Sequence, residues 1–304
     1  MPAALHPDAK PLAVPLEKAA RLRALTLPPL LAWPTFWMWA VALVGIVLSD
    51  VLTMHGVLAL SVACVLNVLF MYPLFGVIHD ATHRAISSNP RLNDWIGRIG
   101  LLMIAPHGTL GMFRWAHMQH HRHTNGAKDP DEWIHGRWWT LPLRWMSFDL
   151  GYLIFIPRKG DAIGKRQLRT TFAALAVLLA VIGVLVWMGY GMEVLLLWLI
   201  PSRVTMMLFG CVFFWLPHVK HDVSSEQNLT LATSMRLGGE RWLGPLLQFH
   251  NYHLLHHLYP SAPPYNHSRI WALIEPELRQ RDLAVQYGLA IHPVVVPGTR
   301  RSPA

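Results

Sequence analysis

Four long apolar runs, from Trp33 to Leu48, Val57 to Ile78, Thr171 to Gly189 and Met192 to Leu216, punctuate the chain. A helix crosses a bilayer in about 20 apolar residues, so each run predicts a membrane-crossing helix. The turns between the paired runs, Ser49–Gly56 and Tyr190–Gly191, hold no Lys or Arg. The tail before Trp33, the middle segment and the C-terminal third hold almost all of them, which predicts an even number of spans with both termini in the cytoplasm. The middle segment, His79 to Thr170, includes an apolar stretch, Ile99–Phe113, interrupted by Pro106 and Gly108. It is too short and too broken to span and predicts an interfacial or partly inserted element. The expected fold is all-α: one membrane domain with a tail over 1–30, a transmembrane hairpin over 33–78 and a second over 171–216. A cytoplasmic helical cap is made of 79–170 and 217–304. No repeat of solenoid spacing and no low-complexity tract is present.

Composition sharpens this picture. Hydrophobic residues make up 53% of the 304 residues and charged residues only 14%, and the mean hydropathy is +0.32; soluble domains carry about a quarter charged residues. Fourteen tryptophans, clustered at 33–39 and 138–145, suit headgroup-level anchoring. A net charge of +9 without a nucleic-acid-binding motif fits contact with anionic headgroups better than nucleic acid. The two cysteines, Cys64 and Cys211, lie inside apolar runs, which argues against a disulfide framework or a thiolate site. The N-terminal thirty residues show no signal-peptide pattern.

The histidines change the picture most. There are eighteen, and most fall in clusters: His79 and His83 after the second run; His117, His120 and His121, with His123 beside them; His218 and His221 after the fourth run; His253, His256 and His257, with His250 nearby. Spacings of three and four residues put side chains on one helix face, so each cluster can aim two or three imidazoles at one point. Neutral imidazole suits iron, copper, zinc and nickel. Two metals need roughly eight to ten protein ligands, the number these clusters supply. His6, His55, His107, His135, His267 and His292 stand outside the clusters and are read as interfacial or hydrogen-bonded residues; for His123 and His250 a supporting role is expected.

The HxxxH, HxxHH and HxxHH boxes, separated by two-span hairpins, resemble those of the membrane fatty-acid desaturase and hydroxylase superfamily over roughly Val57 to Trp271. Phe113–Asn125, Asp129-Pro130-Asp131 and Asn251–Pro260 resemble bacterial acyl desaturases and desaturase-like β-carotene hydroxylases. The resemblance implies iron ligation by His79, His83, His117, His120, His121, His253, His256 and His257. A further ligand is expected after the fourth span, where the local match is imperfect: His221 is favoured, with His218 in its place as the alternative. Asp80 and Asn251 are expected to support ligand imidazoles, and Asp129 and Asp131 are expected to be solvated or capping loop residues.

The resemblance further implies a non-haem di-iron, O₂-dependent enzyme that desaturates a lipid acyl chain in a bacterial inner membrane. Acyl or carotenoid hydroxylation and terminal-alkene-forming decarboxylation are the alternatives, because the boxes name the metal chemistry and not the substrate. Removing hydrogen from an unactivated methylene lies beyond side-chain acid–base chemistry, so a metal must carry it, and the resemblance implies two ferrous ions. No cytochrome b5-type His-Pro-Gly-Gly motif occurs in the sequence, and a separate donor such as ferredoxin with its reductase is expected. A metal transporter is the non-enzymatic rival. Its spans should carry polar residues, whereas these are nearly all apolar. Arg203, inside the fourth run after Pro201, is the exception: it must face a partner or cavity, or sit at a boundary created by a helix break at Pro201.

Overall fold

In the computed structural model, residues 12–299 are described, and they are predominantly helical. They divide into two compact units, one of residues 29–117 and 133–211 and the other of residues 12–28, 118–132 and 212–299. His6 lies outside the described residues.

The first unit holds α2 (Trp33–Met54), α3 (Leu60–Thr82), α4 (Pro90–Ile104), most of α5 (Leu110–His123), α6 (Leu141–Met146), α7 (Phe148–Lys159), α8 (Ala162–Trp187) and most of α9 (Gly191–His218). Four of these, α2, α3, α8 and α9, are long and apolar enough to cross a membrane. Their outer faces stay apolar, with Val41, Val44 and Val47 on α2 and Val177, Val181 and Val184 on α8 exposed, which suits lipid rather than water.

Helix α2 runs six residues beyond the expected end at Leu48. The reason is polar satisfaction within the unit. Thr53 returns its hydroxyl to the Ser49 carbonyl at 2.8 Å, and Asp50 accepts from Asn67 of α3 at 2.8 Å. Asn67 also reaches the Leu197 carbonyl at 2.8 Å, where α9 widens into π-helical turns over Val194–Leu199. Helix α8 starts nine residues before Thr171, because Asp161 caps it by accepting from the Gly164 amide at 2.8 Å. Its first turns carry Lys165, Arg166 and Arg169, so the basic stretch is part of the helix. Helix α9 does not break at Pro201, which sits in the opening turn of its regular stretch Ile200–Phe209. The apolar stretch Ile99–Phe113 divides as its Pro106 and Gly108 predict, into the end of α4 and the start of α5.

The second unit holds α1 (Leu16–Thr26), α10 (Leu229–Ala232), α11 (Glu240–Leu246), α12 (His253–Leu258) and α13 (His267–Leu278). Its core gathers Leu22, Met235, Leu254, Leu255, Ile270 and Ile274, and Lys18 of α1 pairs with Glu277 of α13 at 2.7 Å. One departure from the all-α expectation is a three-stranded sheet. Strand β1 (Ser234–Leu237) pairs in parallel with β2 (Leu283–Tyr287), and β2 pairs antiparallel with β3 (Val294–Val296). Strands of three to five residues are too short to show a period of two against an apolar background.

Candidate metal centre

In the first unit, His79 and His83 lie one turn apart at the end of α3, and His117 comes from α5. His79 Nε2 and His117 Nε2 stand 3.0 Å apart. The ring centroids of the three form a triangle with sides of 4.7 to 4.9 Å, and all three are buried. Arg114, one turn before His117, ties the two helices together. Its Nε donates to the Thr82 carbonyl at 3.0 Å and its Nη2 to the Ala81 carbonyl at 2.8 Å, and Asp94 of α4 holds the guanidinium from the other side. A cation on the last carbonyls of α3 suits the negative helix end. Asp80 is buried beside His79, but Oδ1 lies 3.6 Å from His79 Nδ1, beyond hydrogen-bond length; its Oδ2 accepts from Thr35 at 3.2 Å.

In the second unit, His120, His218, His253 and His257 each offer a ligand atom within 4.8 Å of the others, all buried. His253 Nε2 is 3.2 Å from both His218 Nε2 and His257 Nε2. Three of the opposite ring nitrogens, those of His218, His120 and His257, have partners behind them. His218 Nδ1 donates to the Ala232 carbonyl at 2.9 Å, which leaves the Nε2 lone pair facing inward. His120 Nδ1 meets Asp129 at 3.0 Å and Asp131 at 3.4 Å. Thr124 donates to the His120 carbonyl at 2.8 Å and lies 3.4 Å from His257 Nδ1. Asn125, at φ 60°, fastens this arrangement: its side chain donates to the Val223 and Ala232 carbonyls at 2.9 Å, and its amide donates to Asp129 at 2.8 Å. In the same unit His121 Nε2 and His256 Nε2 stand 2.9 Å apart. His221 lies outside these groups, at φ 51° just past His218.

The electrostatics sort these imidazoles into two kinds. Burial, with added repulsion from neighbouring histidines, pushes His253 and His257 well below the ordinary imidazole value. Both rings are therefore neutral, the form that ligates metal. His120 goes the other way: burial lowers it, but the Asp129 and Asp131 carboxylates outweigh that and raise it to about 9. A cation in the cage would take the place of that proton. Facing Nε2 atoms at 3.0 to 3.2 Å in a buried setting, with the Ala232 carbonyl behind His218 and the Asp129 carboxylate behind His120, match the donor set of an imidazole-bound metal. Both groups fit one.

Sequence reasoning missed the support. Asp129 and Asp131 are not solvated loop residues but 1% and 3% exposed, a depth explained by their pairing with His120. Asp-Pro-Asp, beginning nine residues after His120, was the available signal. Asn251 is buried and reaches the Arg236 carbonyl at 3.5 Å. His250, pushed down to about 3 by burial and by His267, packs its ring 4.2 Å from Phe213. His55 returns to the Val51 carbonyl on the surface.

The first unit also holds a partly open apolar pocket. Phe75 and Phe113 line it, each one turn before a cage histidine, with Phe113 stacked on His117 at 5.9 Å and Phe75 at 6.4 Å from His79. In its wall sits a polar trio. His107 Nε2 meets Asp149 Oδ2 at 2.8 Å, and Arg203 donates to the same oxygen at 2.9 Å and to the Met146 carbonyl at 3.2 Å. Arg203 is thus partnered inside the unit. Burial opposes the Asp149 charge, but the His107 hydrogen bond and the Arg203 charge hold its carboxyl below the usual range.

Residues 55–288 match the family model described as Fatty acid desaturase. The chain belongs to the fatty acid desaturase family. Among curated relatives it is 24% identical over 225 residues to the chloroplastic omega-6 fatty acid desaturase of Glycine max, covering 63% of this chain and 50% of that protein. It is 24% identical over 241 residues to the sn-1 oleoyl-lipid 12-desaturase of a Picosynechococcus strain, covering 66% of this chain and 65% of that one. It is also 24% identical over 261 residues to the ferredoxin-type sn-1 acyl-lipid omega-3 desaturase of a Synechocystis strain, covering 72% and 71%. The chain thus spans about half the length of the plant relatives it matches.

Proposed function

We propose that the chain is a membrane-bound, iron- and O₂-dependent acyl-lipid desaturase. The reading rests on family membership, on relatives named as acyl-lipid desaturases, and on one observation above all. An apolar cavity adjoins the three-histidine cage of its own unit, with Phe75 and Phe113 between the two. Each cage holds one iron: His79, His83 and His117 in the first unit, and His120, His218, His253 and His257 in the second. His121 and His256 complete the set, and His218 rather than His221 is the ligand from the end of α9.

Iron bound there supplies the oxidising power that side chains lack. The balance is one O₂, two electrons and two protons consumed as a –CH₂–CH₂– unit becomes –CH=CH– and two waters leave. The protein's own residues do the rest. The cavity keeps the methylenes dry, Phe75 and Phe113 fill the turn between chain and cage, and Asp129, Asp131 and the Ala232 carbonyl fix the imidazole tautomers. A small ferredoxin-type carrier supplies the electrons, docking on basic cytoplasmic surface. The four spans form two hairpins of a single functional domain in a bacterial inner membrane, with both termini and the histidines on the cytoplasmic side.

The test is reconstitution of the purified chain with ferrous iron, ferredoxin, its reductase and O₂ in acyl-lipid vesicles. Acyl chains two mass units lighter are expected. A gain of sixteen units would make it a hydroxylase instead, and iron-independent or absent conversion would remove the reading.

A further inference from the structure

His107 was read from the sequence as an ordinary hydrogen-bonded residue, yet it sits in the wall of the cavity among apolar neighbours. Its ring is oriented by a chain of contacts that metal binding does not need. Arg203 holds Asp149 at 2.9 Å, and Asp149 holds His107 Nε2 at 2.8 Å. Asp149 is further fixed by the Leu150 amide at 3.0 Å. In the tautomer that donates Nε2–H to the carboxylate, Nδ1 carries the lone pair. That nitrogen has no partner among the described residues, and the side chain is 10% exposed. The nitrogen keeps accessible surface, so an occupant that brings a donor can satisfy it.

We infer that His107 determines specificity: the cavity takes a lipid chain bearing a hydroxyl group, and His107 Nδ1 accepts that hydroxyl's hydrogen. This rests on reading the cavity as the substrate site and narrows the substrate to an oxygenated chain. The hydroxyl lies away from the point of oxidation. The seven residues from Leu110, at the His107 end of α5, to His117 amount to roughly 10 Å of helix. The hydroxyl therefore fixes how far the chain advances toward the cage. Asp149 and Arg203 are positioning residues that act through His107.

The test uses the full chain in detergent micelles, with competition between equimolar 1-hexadecanol, 1-methoxyhexadecane and hexadecane read by native mass spectrometry. The alcohol is expected to occupy the protein about tenfold more than the other two, since only it donates a hydrogen bond. His107→Phe should bring all three within about twofold, with the alkane adduct showing that the variant is folded. His107→Gln, which restores an acceptor, should recover about threefold preference. Equal occupancy in the wild type, a preference that survives His107→Phe, or an ether bound as well as the alcohol would each overturn the inference. If His107→Phe binds no ligand, the wild-type ratios and His107→Gln still decide. Lipid oxidation is assayed separately. Preference without oxidation removes the desaturase reading and keeps the hydroxyl site, whereas oxidation without preference removes only the role of His107.

Discussion

The two histidine cages are built in opposite ways. In the first unit the histidines stand on α3 and α5, helices of 23 and 14 residues, and helix stiffness with Arg114 bracing does most of the orienting. Asp80 stays 3.6 Å from His79. In the second unit the histidines come from the six-residue α12, the end of α9 and the last turns of α5. There the orientation is carried by side-chain hydrogen bonds: Asp129 and Asp131 on His120, the Ala232 carbonyl on His218, and Asn125 joining both. Short elements carry little rigidity of their own, so their functional side chains need a second layer of partners.

The largest expected effect breaks the cages themselves. On the proposed reading, His83→Ala and His257→Ala should each lower turnover by at least about a thousandfold, because each would remove a bond to iron. The next effect separates the two designs. Asp129→Asn should weaken metal binding about 10- to 100-fold, the usual result of removing a ligand's hydrogen-bonded partner. Asp80→Asn should change it by less than about threefold. Cobalt titration followed in the visible spectrum reads both, and equal losses would erase the distinction.

Those predictions show where the sequence was legible. Three- and four-residue spacings belong to local helix geometry, so the boxes and the four spans could be read directly. What stayed hidden depends on distant pairing: Asp149 lies 42 residues from His107 and 54 from Arg203, and the Ala232 carbonyl 14 from His218. No periodicity encodes a backbone carbonyl as a histidine's partner. For the same reason the sequence favoured His221, whereas His218 is the one that joins the buried group and His221 lies past it at φ 51°.

His120 provides a pH signature for the second cage. Its metal-free pKa is raised from 6.5 to about 9, so a proton competes with the metal below that value. Apparent cobalt affinity should rise with pH up to about 9 and then level off, by as much as about tenfold per unit. Stability of the metal-free protein should run the opposite way. A raised folded-state pKa contributes stability that is complete below about 6.5 and is lost as pH climbs through about 9. Asp129→Asn should flatten both curves, and a cobalt isotherm independent of pH would contradict the assignment.

Arg203→Leu tests the support inside the first unit. It strands the Asp149 carboxylate, which is 10% exposed, and should destabilise the protein by about 3 kcal/mol, visible as a lower melting temperature. The smallest effect lies just before the third box. Gln248 and Phe249 both adopt left-handed backbone, at φ 49° and 62°, which disfavours side chains with a Cβ. Gln248→Gly should stabilise by about 0.5 to 1 kcal/mol, and a lower melting temperature would show that the Gln248 side chain contributes more than its strain costs.

The most direct measurement is the iron content of the purified chain after anaerobic reconstitution, counted per chain alongside the two single-cage variants. The account predicts two irons in the wild type and one each in His83→Ala and His257→Ala. One iron in the wild type, or loss of both irons from either variant while it remains folded, would contradict two separately built sites.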